Sequence, residues 1–287
     1  MPTPAELARL RRIAAEMRWH IVHMMGPNKP HHFGGSLSAT DMTAALYFYK
    51  MRYDPANPRW PARDRFLMSK GHSVPAQYAA LALLGVLPVE ELPTLKKLGS
   101  RLQGHPAMHE TPGLEGCTGA LGEGLSYANG MALAGRLLKL RYRVYCLIGD
   151  GELHEGQIWE AAMTASRQCL NIVTALIDHN GLKAMDSCDC GKCVGPLGAR
   201  WEAFGWATRE IDGHDMGEIC AALDWAEAQG EPAVIIARTV KGKGVSFMEG
   251  QAGFHNAAIT DEQYRAALAE LEAALAQRRQ EEAQWQN

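Results

Sequence analysis

The apolar residues of this chain follow two spacings, one typical of helices and one typical of buried strands. Over residues 4–22 they recur with the 3.6-residue period of a helix, which should end at Gly26-Pro27. Two uninterrupted apolar runs, 143–148 and 171–177, have the length of strands that are covered on both faces. The segment between them, 155–167, has helical periodicity, so the centre of the chain is predicted to be strand, helix, strand.

The second half of the chain continues this alternation. Strands are predicted at 206–211 and 233–238, with a helix at 216–228 between them. Because crossovers between parallel strands are right-handed, the order predicts an α/β fold, a doubly wound, mainly parallel sheet with helices on both faces. From Thr260 onward the pattern predicts an amphipathic helix that fades into a frayed, Gln-rich end.

Polar, glycine-rich segments interrupt the pattern in the first half. Residues 28–36 are predicted to be a connector, followed by a helix that Ser38 caps and that runs to Tyr49. Residues 69–73 form a second short polar segment before an Ala/Leu-rich helix. Small residues dominate a predicted helical stretch at 118–140, which implies a close backbone approach to another helix or to a ligand.

Length and charge restrict the class of protein. A chain of 287 residues can bury a substantial core without disulfides. Its 29 Lys and Arg are interspersed with 32 Asp and Glu, and the formal net charge is −3, so we expect no nucleic-acid partner. The start lacks the apolar region of a signal peptide, and no later window approaches 18 uncharged apolar residues, so we expect a cytoplasmic protein with no membrane partner.

The two central strands end in residue types that bind hard metal ions. The first ends in Gly149-Asp150-Gly151 and the second is followed by Asn180, thirty positions after Asp150. If the strands are neighbours, the carboxylate and the amide oxygen converge, and such oxygens suit Mg²⁺. The adjacent glycines and helix start would admit a diphosphate. The alternative is a simple strand-to-helix turn in which Asp150 is only a cap.

Several short motifs around these residues resemble one family, the transketolases among thiamine diphosphate enzymes. In order along the chain they are His-Phe-Gly-Gly-Ser-Leu-Ser at 32–38, Ser-Lys-Gly-His at 69–72, Gly-His-Pro at 104–106, Thr-Gly-Ala-Leu-Gly-Glu-Gly-Leu-Ser at 118–126, Gly-Asp-Gly-Glu-Leu-His-Glu-Gly at 149–156, Ile-Asp-Gly-His-Asp at 211–215 and Arg-Thr-Val-Lys-Gly-Lys-Gly at 238–244. The resemblance extends from about residue 20 to 257.

The resemblance is to the diphosphate-binding half of a transketolase. It implies that residues 1–287 are a single thiamine diphosphate-binding domain with an N-terminal helical extension at 1–25 and a C-terminal helical tail at 260–287. It also implies a split enzyme, whose second subunit carries the pyrimidine-binding domain and the glutamate that activates the cofactor. We expect an α2β2 heterotetramer, acting on sugars or sugar phosphates, in which this chain alone turns over nothing.

Matching the motifs residue by residue implies roles for individual side chains. Asp150, Asn180 and the backbone carbonyl of Leu182 would bind Mg²⁺ or Ca²⁺. Glu155 would meet the cofactor-activating glutamate of the second subunit. The residues expected to bind thiamine diphosphate are His72, Gly119, Ala120, Leu121, Gly149, Asp150, Gly151, Glu152, Asn180 and His255.

Four histidines, His32, His72, His105 and His255, match family positions around the cofactor and the sugar hydroxyls. Ketol transfer requires removal and return of a hydroxyl proton, and imidazole titrates near neutrality. A loop histidine is more often a surface or capping residue. The four matches favour the functional interpretation, whereas His31, His154 and His179 keep the structural one.

Three features depart from the family pattern. Phe33 replaces a proline, which predicts a different shape for the donor-side wall. Glu123 replaces a glutamine, and its carboxylate needs a partner or an outward orientation near a diphosphate. Cys188, Cys190 and Cys193 have a spacing that could bind zinc, but no fourth ligand is adjacent, so a reduced, redox-sensitive surface insert is the favoured interpretation.

The sequence therefore predicts the N-terminal subunit of a heteromeric transketolase, a transferase that moves a two-carbon ketol unit from a ketose to an aldose. Two alternatives stay open. One is a subunit of another thiamine diphosphate enzyme, either like 1-deoxyxylulose phosphate synthase or like a dehydrogenase component. The other is a non-catalytic regulatory paralogue.

Overall fold

A computed structural model describes residues 2–184, 187 and 196–285. Within them, five strands form one sheet in the order β1-β2-β3-β5-β4, and every pairing is parallel. The strands are β1 (Arg65–Met68), β2 (Val144–Gly149), β3 (Val173–His179), β4 (Ala207–Asp212) and β5 (Ala233–Arg238). The predicted α/β fold with a parallel sheet is confirmed.

Helices cover both faces of the sheet. They are α1 (Pro4–Met25), α2 (Phe33–Ser38), α3 (Thr40–Ala45), α4 (Val74–Leu83), α5 (Gly124–Leu137), α6 (Gly156–Arg167), α7 (Leu197–Ala203), α8 (Met216–Glu227) and α9 (Asp261–Ala283). Tyr145 and Leu147 of β2 point into a core shared with α1, α3, α4 and α8. Cys146 and Ile148 point into a second core with α5, α6 and α7. Among the described residues, no helix combines the length and the apolar character needed to cross a bilayer.

Two local predictions in the first half were wrong. Part of the predicted connector is helix α2, and the hydroxyl of Ser38 does not cap a helix but donates to Asp178 at 2.6 Å. The predicted helical stretch at 118–140 begins only at Gly124, because residues 118–123 form a loop. The sequence interpretation also missed the four-residue strand β1 and the short helix α7.

The C-terminal helix is not frayed over its described length. A capping box formed by Thr260 and Gln263 begins α9, which continues to Ala283. Its buried face, which includes Leu271, packs against α1. Near its end, Arg12 of α1 donates to Glu282 at 2.8 Å. Contacts along its whole length therefore keep this helix on the body of the fold.

Candidate active site

The carboxyl ends of four strands meet at a cavity of about 320 Å³. The segments after β1, β2, β3 and β5 contribute Lys70, Asp150, Asn180 and Lys241 to its walls. Most of the predicted site residues line this cavity: His32, His72, His105, Gly119, Leu121, Gly149, Asp150, Gly151, Glu152, Asn180, Leu182 and His255. Ala120 and Glu155 are exposed outside it.

The register of the sheet brings the proposed metal-binding residues together. Gly149 pairs with Asp178, so Asp150 and Asn180 follow adjacent positions on neighbouring strands. The carboxylate of Asp150 accepts the N–H groups of Gly151 at 2.8 Å and Gly181 at 2.6 Å. Asp150 thus caps the turn, as the structural alternative predicted, and also faces the cavity.

The electrostatics around Asp150 favour a cation. Burial, reinforced by the charge of Asp178, raises the pKa of Asp150 above its ordinary value. A divalent cation would stabilise this carboxylate, and the amide of Asn180 and the carbonyl of Leu182 add further hard oxygens. The described residues form no group of three His, Cys, Asp or Glu side chains suited to a metal. One carboxylate with two neutral oxygens would suit a Mg²⁺ or Ca²⁺ ion, which prefers hard oxygen ligands.

Four histidines from separate segments of the chain also line the cavity. The ring centroid of His32 lies 5.0 Å from that of His72, 6.2 Å from that of His105 and 5.5 Å from that of His255. The rings of His72 and His255 are 5.0 Å apart. The sequence separates these residues by up to 223 positions, yet the fold gathers them as the resemblance implied.

Burial keeps these imidazoles neutral near pH 7. Burial lowers the pKa of His32 to about 4, and the neighbouring His255 adds to the effect. Burial likewise lowers the pKa of His255 to about 4, and here the charge of Lys241 adds to it. Burial also lowers the pKa of His72, with Lys70 adding to the effect, and that of His105, with Lys96 adding to it. Each neutral ring offers one acceptor nitrogen and one N–H donor to a bound ligand.

Glu152 connects the three loops around the cavity. Its carboxylate accepts the hydroxyl of Ser69 at 2.5 Å and the N–H groups of Gly122 at 2.9 Å and Gly149 at 3.1 Å. Burial raises its pKa despite these donors. Glu152 therefore fixes the positions of the loops after β1 and β2 relative to residues 118–123.

Two lysines in the cavity wall were missed as site residues by the sequence reasoning. The buried ammonium of Lys70 forms an ion pair with Asp178 and donates to the carbonyl of Gly35 at 2.9 Å. Burial alone would raise the pKa of Asp178, but Lys70 lowers it below its ordinary value. The motifs at 69–72 and 238–244 contained the signal for both lysines, because each places a lysine within three residues of the end of a strand.

The second of these, Lys241, lies between the proposed metal and proton-transfer groups. It is 2 % exposed, and its ammonium donates to the carbonyls of Leu182 at 3.0 Å and Lys183 at 3.3 Å. It also donates to Nδ1 of His255 at 3.1 Å. In the neutral ring of His255 the proton therefore lies on Nε2.

The loop at 118–123 approaches the cavity through its glycines. Gly119 has a φ of 142°, and a Cβ there would lie 2.6 Å from Cδ2 of His105. Only glycine therefore allows this loop to lie against His105. The small residues noted in the sequence here serve a close approach to the site.

The three departures from the family pattern lie in different surroundings. Phe33 is fully buried in the core and does not itself line the cavity, so the altered donor-side wall stays a prediction. Glu123 is exposed and accepts the hydroxyl of Tyr127 at 3.0 Å, so its carboxylate has the expected outward orientation. The three clustered cysteines, Cys188, Cys190 and Cys193, lie outside the described residues.

The histidines given a structural interpretation do not line the cavity. His31 pairs with Ala257 through an antiparallel bridge, and His179 is the last residue of β3. His154 is exposed, and its Nδ1 lies 3.1 Å from the carbonyl of Gly151. Motif matching thus separated the cavity histidines from their neighbours in sequence.

The chain is thus a parallel α/β domain with a cavity at the carboxyl edge of its sheet, the place where open sheets of this kind bind their ligands. Comparisons with known proteins specify the family. A model of the transketolase, thiamine diphosphate binding domain matches residues 10–277. The chain therefore belongs to the family of transketolase thiamine diphosphate-binding domains.

Several relatives match over most of their own length. The chain is 48% identical over 242 residues to the 6-deoxy-6-sulfo-D-fructose transketolase subunit SqwG of Clostridium sp. (strain MSTE9), which covers 84% of this chain and 88% of that protein. It is 42% identical over 257 residues to an apulose-4-phosphate transketolase subunit of Phocaeicola vulgatus, covering 88% and 90%.

Longer relatives match over part of their length. Human transketolase is 38% identical over 255 residues, which are 88% of this chain and 40% of that protein. The structure superposes on transketolase from Campylobacter jejuni with a TM-score of 0.84 and 28% identity, covering 100% of this chain and 48% of that chain. The chain thus spans about half the length of the solved transketolase.

Proposed function

We propose that this chain is the N-terminal subunit of a two-subunit transketolase, a transferase that moves a two-carbon ketol unit from a ketose or ketose phosphate donor to an aldose acceptor. The reaction would use thiamine diphosphate and Mg²⁺ or Ca²⁺. The observation that carries the proposal is the cavity itself, which combines Asp150 and Asn180 with four histidines in a member of the transketolase family.

In this proposal the carboxyl edge of the sheet binds the diphosphate. Asp150, Asn180 and the carbonyl of Leu182 would hold the metal ion, and the ion would neutralise the buried Asp150. The ammonium of Lys241, now bound to the carbonyl of Leu182, lies beside the same position and adds positive charge for an anion. Gly119 and Gly151 leave room for the cofactor at the backbone.

The histidines would handle protons of the sugar. When bound, thiamine diphosphate supplies the electron sink for the two-carbon unit. The neutral rings of His32 and His72 would hydrogen-bond the sugar hydroxyls. Because burial lowers their pKa, they would hold a hydroxyl proton only transiently before returning it. His255 can donate its Nε2 proton to a sugar oxygen, because Lys241 occupies Nδ1.

A second polypeptide would complete the active site. Two relatives that match over 88% and 90% of their own length are both named as transketolase subunits. We assign residues 1–287 as one thiamine diphosphate-binding domain, and an α2β2 heterotetramer as the working assembly. The exposed Glu155 and Leu121, at the mouth of the cavity, would face the pyrimidine-binding domain of the partner.

The substrate would be an anionic sugar. The two relatives just described are named for a 6-sulfo sugar and for a 4-phosphate sugar. In this chain the charge of Lys96 lowers the pKa of His31, His32 and His105, so a cation lies close to the histidine wall. Such a charge favours a donor or acceptor with a sulfonate or phosphate group.

The test is reconstitution with the partner subunit. The two chains should be purified together and assayed for ketol transfer with thiamine diphosphate and Mg²⁺. The donors should include 6-deoxy-6-sulfofructose, apulose 4-phosphate and common ketose phosphates. We expect activity that requires both chains, the cofactor and the metal ion. The variant Asp150→Asn should lose Mg²⁺-dependent cofactor binding by at least about a hundredfold, because it removes the charged metal ligand.

Asp54→Asn is the matched control, since Asp54 lies in an exposed turn where it accepts the N–H of Ala56. It should leave cofactor binding unchanged. Failure of the complex to bind thiamine diphosphate in the presence of Mg²⁺ would instead favour a non-catalytic paralogue. Cofactor binding without ketol transfer to any aldose would favour another thiamine diphosphate reaction.

A further inference from the structure

A buried polar network behind the cavity ends on the backbone of the segment that carries Lys241. The N–H of Val240 donates to Nε2 of His214 at 2.8 Å. The other ring nitrogen of His214, Nδ1, lies 2.7 Å from Oδ2 of Asp41. Because Nε2 accepts the N–H of Val240, the proton of the neutral ring lies on Nδ1 and is donated to Asp41.

The same carboxylate holds a second residue that contacts this segment. Arg18 of α1 donates to Asp41 at 3.0 and 2.5 Å, and its Nε donates to the carbonyl of Lys243 at 3.1 Å. Asp41 is 6 % exposed and Arg18 is 9 % exposed. Asp41 therefore positions two side chains that hold the backbone on either side of Lys241. His214 accepts the N–H of Val240, and Arg18 donates to the carbonyl of Lys243.

The geometry at Lys241 leaves little freedom for its backbone. The N–H of Gly242 donates to the carbonyl of Gly34 at 3.0 Å, and Gly242 has a φ of 80°. A Cβ on Gly34 would lie 2.7 Å from Cγ of Lys241. A small shift of the segment would therefore move the lysine side chain against α2 or out of the cavity.

We infer that His214, oriented by Asp41, is a positioning residue that places Lys241 for the diphosphate. This inference rests on the proposed function, since it assumes that the cavity binds thiamine diphosphate. His214 acts through the acceptor that it offers to the N–H of Val240. It does not line the cavity, so its effect on cofactor binding passes through Lys241.

Two conservative variants separate the two hydrogen bonds of His214. In His214→Gln, the side-chain oxygen can take the position of Nε2 and still accept the N–H of Val240. In His214→Asn, the side-chain amide can take the position of Nδ1 and still donate to Asp41, but the acceptor for Val240 is lost. The dissociation constant for thiamine diphosphate should be measured by calorimetry on the two-subunit complex with Mg²⁺.

We expect His214→Asn to weaken cofactor binding about tenfold, the order of effect of one lost hydrogen bond to a partly buried N–H. His214→Gln should stay within about threefold of the unmodified protein, and the KM for the sugar should stay the same in both variants. His109→Asn, at an exposed histidine, is the control and should change neither quantity. Thermal unfolding of each variant identifies effects that arise only from loss of the fold.

A double-mutant cycle tests whether the effect passes through Lys241. If it does, His214→Asn combined with Lys241→Met should bind the cofactor no more weakly than Lys241→Met alone. Independent, additive losses would overturn the inference. So would equal losses in the Asn and Gln variants, or normal binding in His214→Asn.

A spectroscopic measurement tests the geometry without cofactor. The ¹⁵N NMR signals of the His214 ring should show a protonated Nδ1 and an unprotonated Nε2, and the opposite tautomer would contradict the network. If the unmodified complex does not bind thiamine diphosphate, the proposed function fails and the inference fails with it. If the unmodified complex binds and the variants behave alike, only the inference fails.

Discussion

At the scale of single residues, burial sets the pKa of the histidines that line the cavity. The chain has 11 histidines, and the four that line the cavity lie in an environment that lowers their pKa. Burial is the first cause for each of them, and neighbouring cations or histidines add to it. Their lowered pKa is thus a property of the fold.

This environment predicts an acid-dependent loss of stability. The pKa of His32 is about 4 in the folded chain against 6.5 for the unperturbed group, so between these values the unfolded chain binds more protons. The free energy of unfolding should therefore fall as the pH falls from 6.5 to about 4, and His32 should add no further loss below about pH 4. Chemical denaturation of the isolated chain at a series of pH values measures this slope.

The variant His32→Asn should reduce the slope, because it removes one group that must lose its proton on folding. His109→Asn, at an exposed position, is the matched control and should leave the slope unchanged. An identical slope for His32→Asn and the unmodified chain would contradict the lowered pKa of His32.

The sequence predicted cavity residues where a metal-binding residue type stands at the end of a recognisable strand. Asp150 and Asn180 stand at the ends of two long apolar runs, so their convergence followed from the parallel sheet. Glu152 was expected as a cofactor residue, but its hydrogen bonds to three separate loops depend on distances that no spacing reveals. The same limit hid the ion pair of Lys70, whose partner Asp178 is 108 positions away, although the motif at 69–72 contains the lysine itself.

At the scale of elements, length and local composition decided which predictions succeeded. The two central strands have six and seven residues and were recognised from apolar runs, whereas β1 has four residues and begins with Arg65. Helix α2 contains Gly34 and Gly35, which predict a connector. These glycines serve a close approach inside a helix, since a Cβ on Gly35 would lie 2.7 Å from Oγ of Ser73.

The packing of α9 on the fold predicts a measurable contribution to stability. Leu271 is 1 % exposed and lies in the core that also includes α1. Leu271→Ala should lower the free energy of unfolding by about 2–5 kcal/mol, the usual cost of removing a buried leucine side chain. Urea denaturation measures it.

Leu137 gives a control with the same chemistry, since it lies in helix α5 but is 82 % exposed. Leu137→Ala should change the free energy of unfolding by less than about 0.5 kcal/mol. Equal effects of the two substitutions would mean that α9 does not pack as the structure shows. It would also restore the expectation of a frayed tail.

At the scale of the whole molecule, the cavity is open toward the side on which the proposed partner would bind. Leu121 is 39 % exposed and Tyr127 is 42 % exposed, and Glu155 lies on the loop that packs against Gly122. The first turns of α5 and α6 are linked by a hydrogen bond from Gln157 to Ser126 at 2.7 Å. These residues form one surface, which we call the mouth surface, beside the cavity that Asp150 and the four histidines line.

The mouth surface predicts where the second subunit binds. Interfaces gain most of their affinity from a few aromatic or apolar residues that become buried, and Tyr127 has this character. Tyr127→Ala should weaken the binding of the partner subunit at least about tenfold. Leu138→Ala is the matched control, because Leu138 is 68 % exposed but follows α5 at the opposite edge of the sheet. It should leave the affinity unchanged.

The measurement is activity as a function of partner concentration at saturating cofactor. A weakened interface shifts the half-maximal partner concentration upward and leaves the plateau rate intact, because Tyr127 does not line the cavity. A lower plateau without such a shift would indicate a catalytic effect instead of an interface effect. Equal shifts for Tyr127→Ala and Leu138→Ala would place the partner elsewhere, and Glu155 would then have no reason to face it.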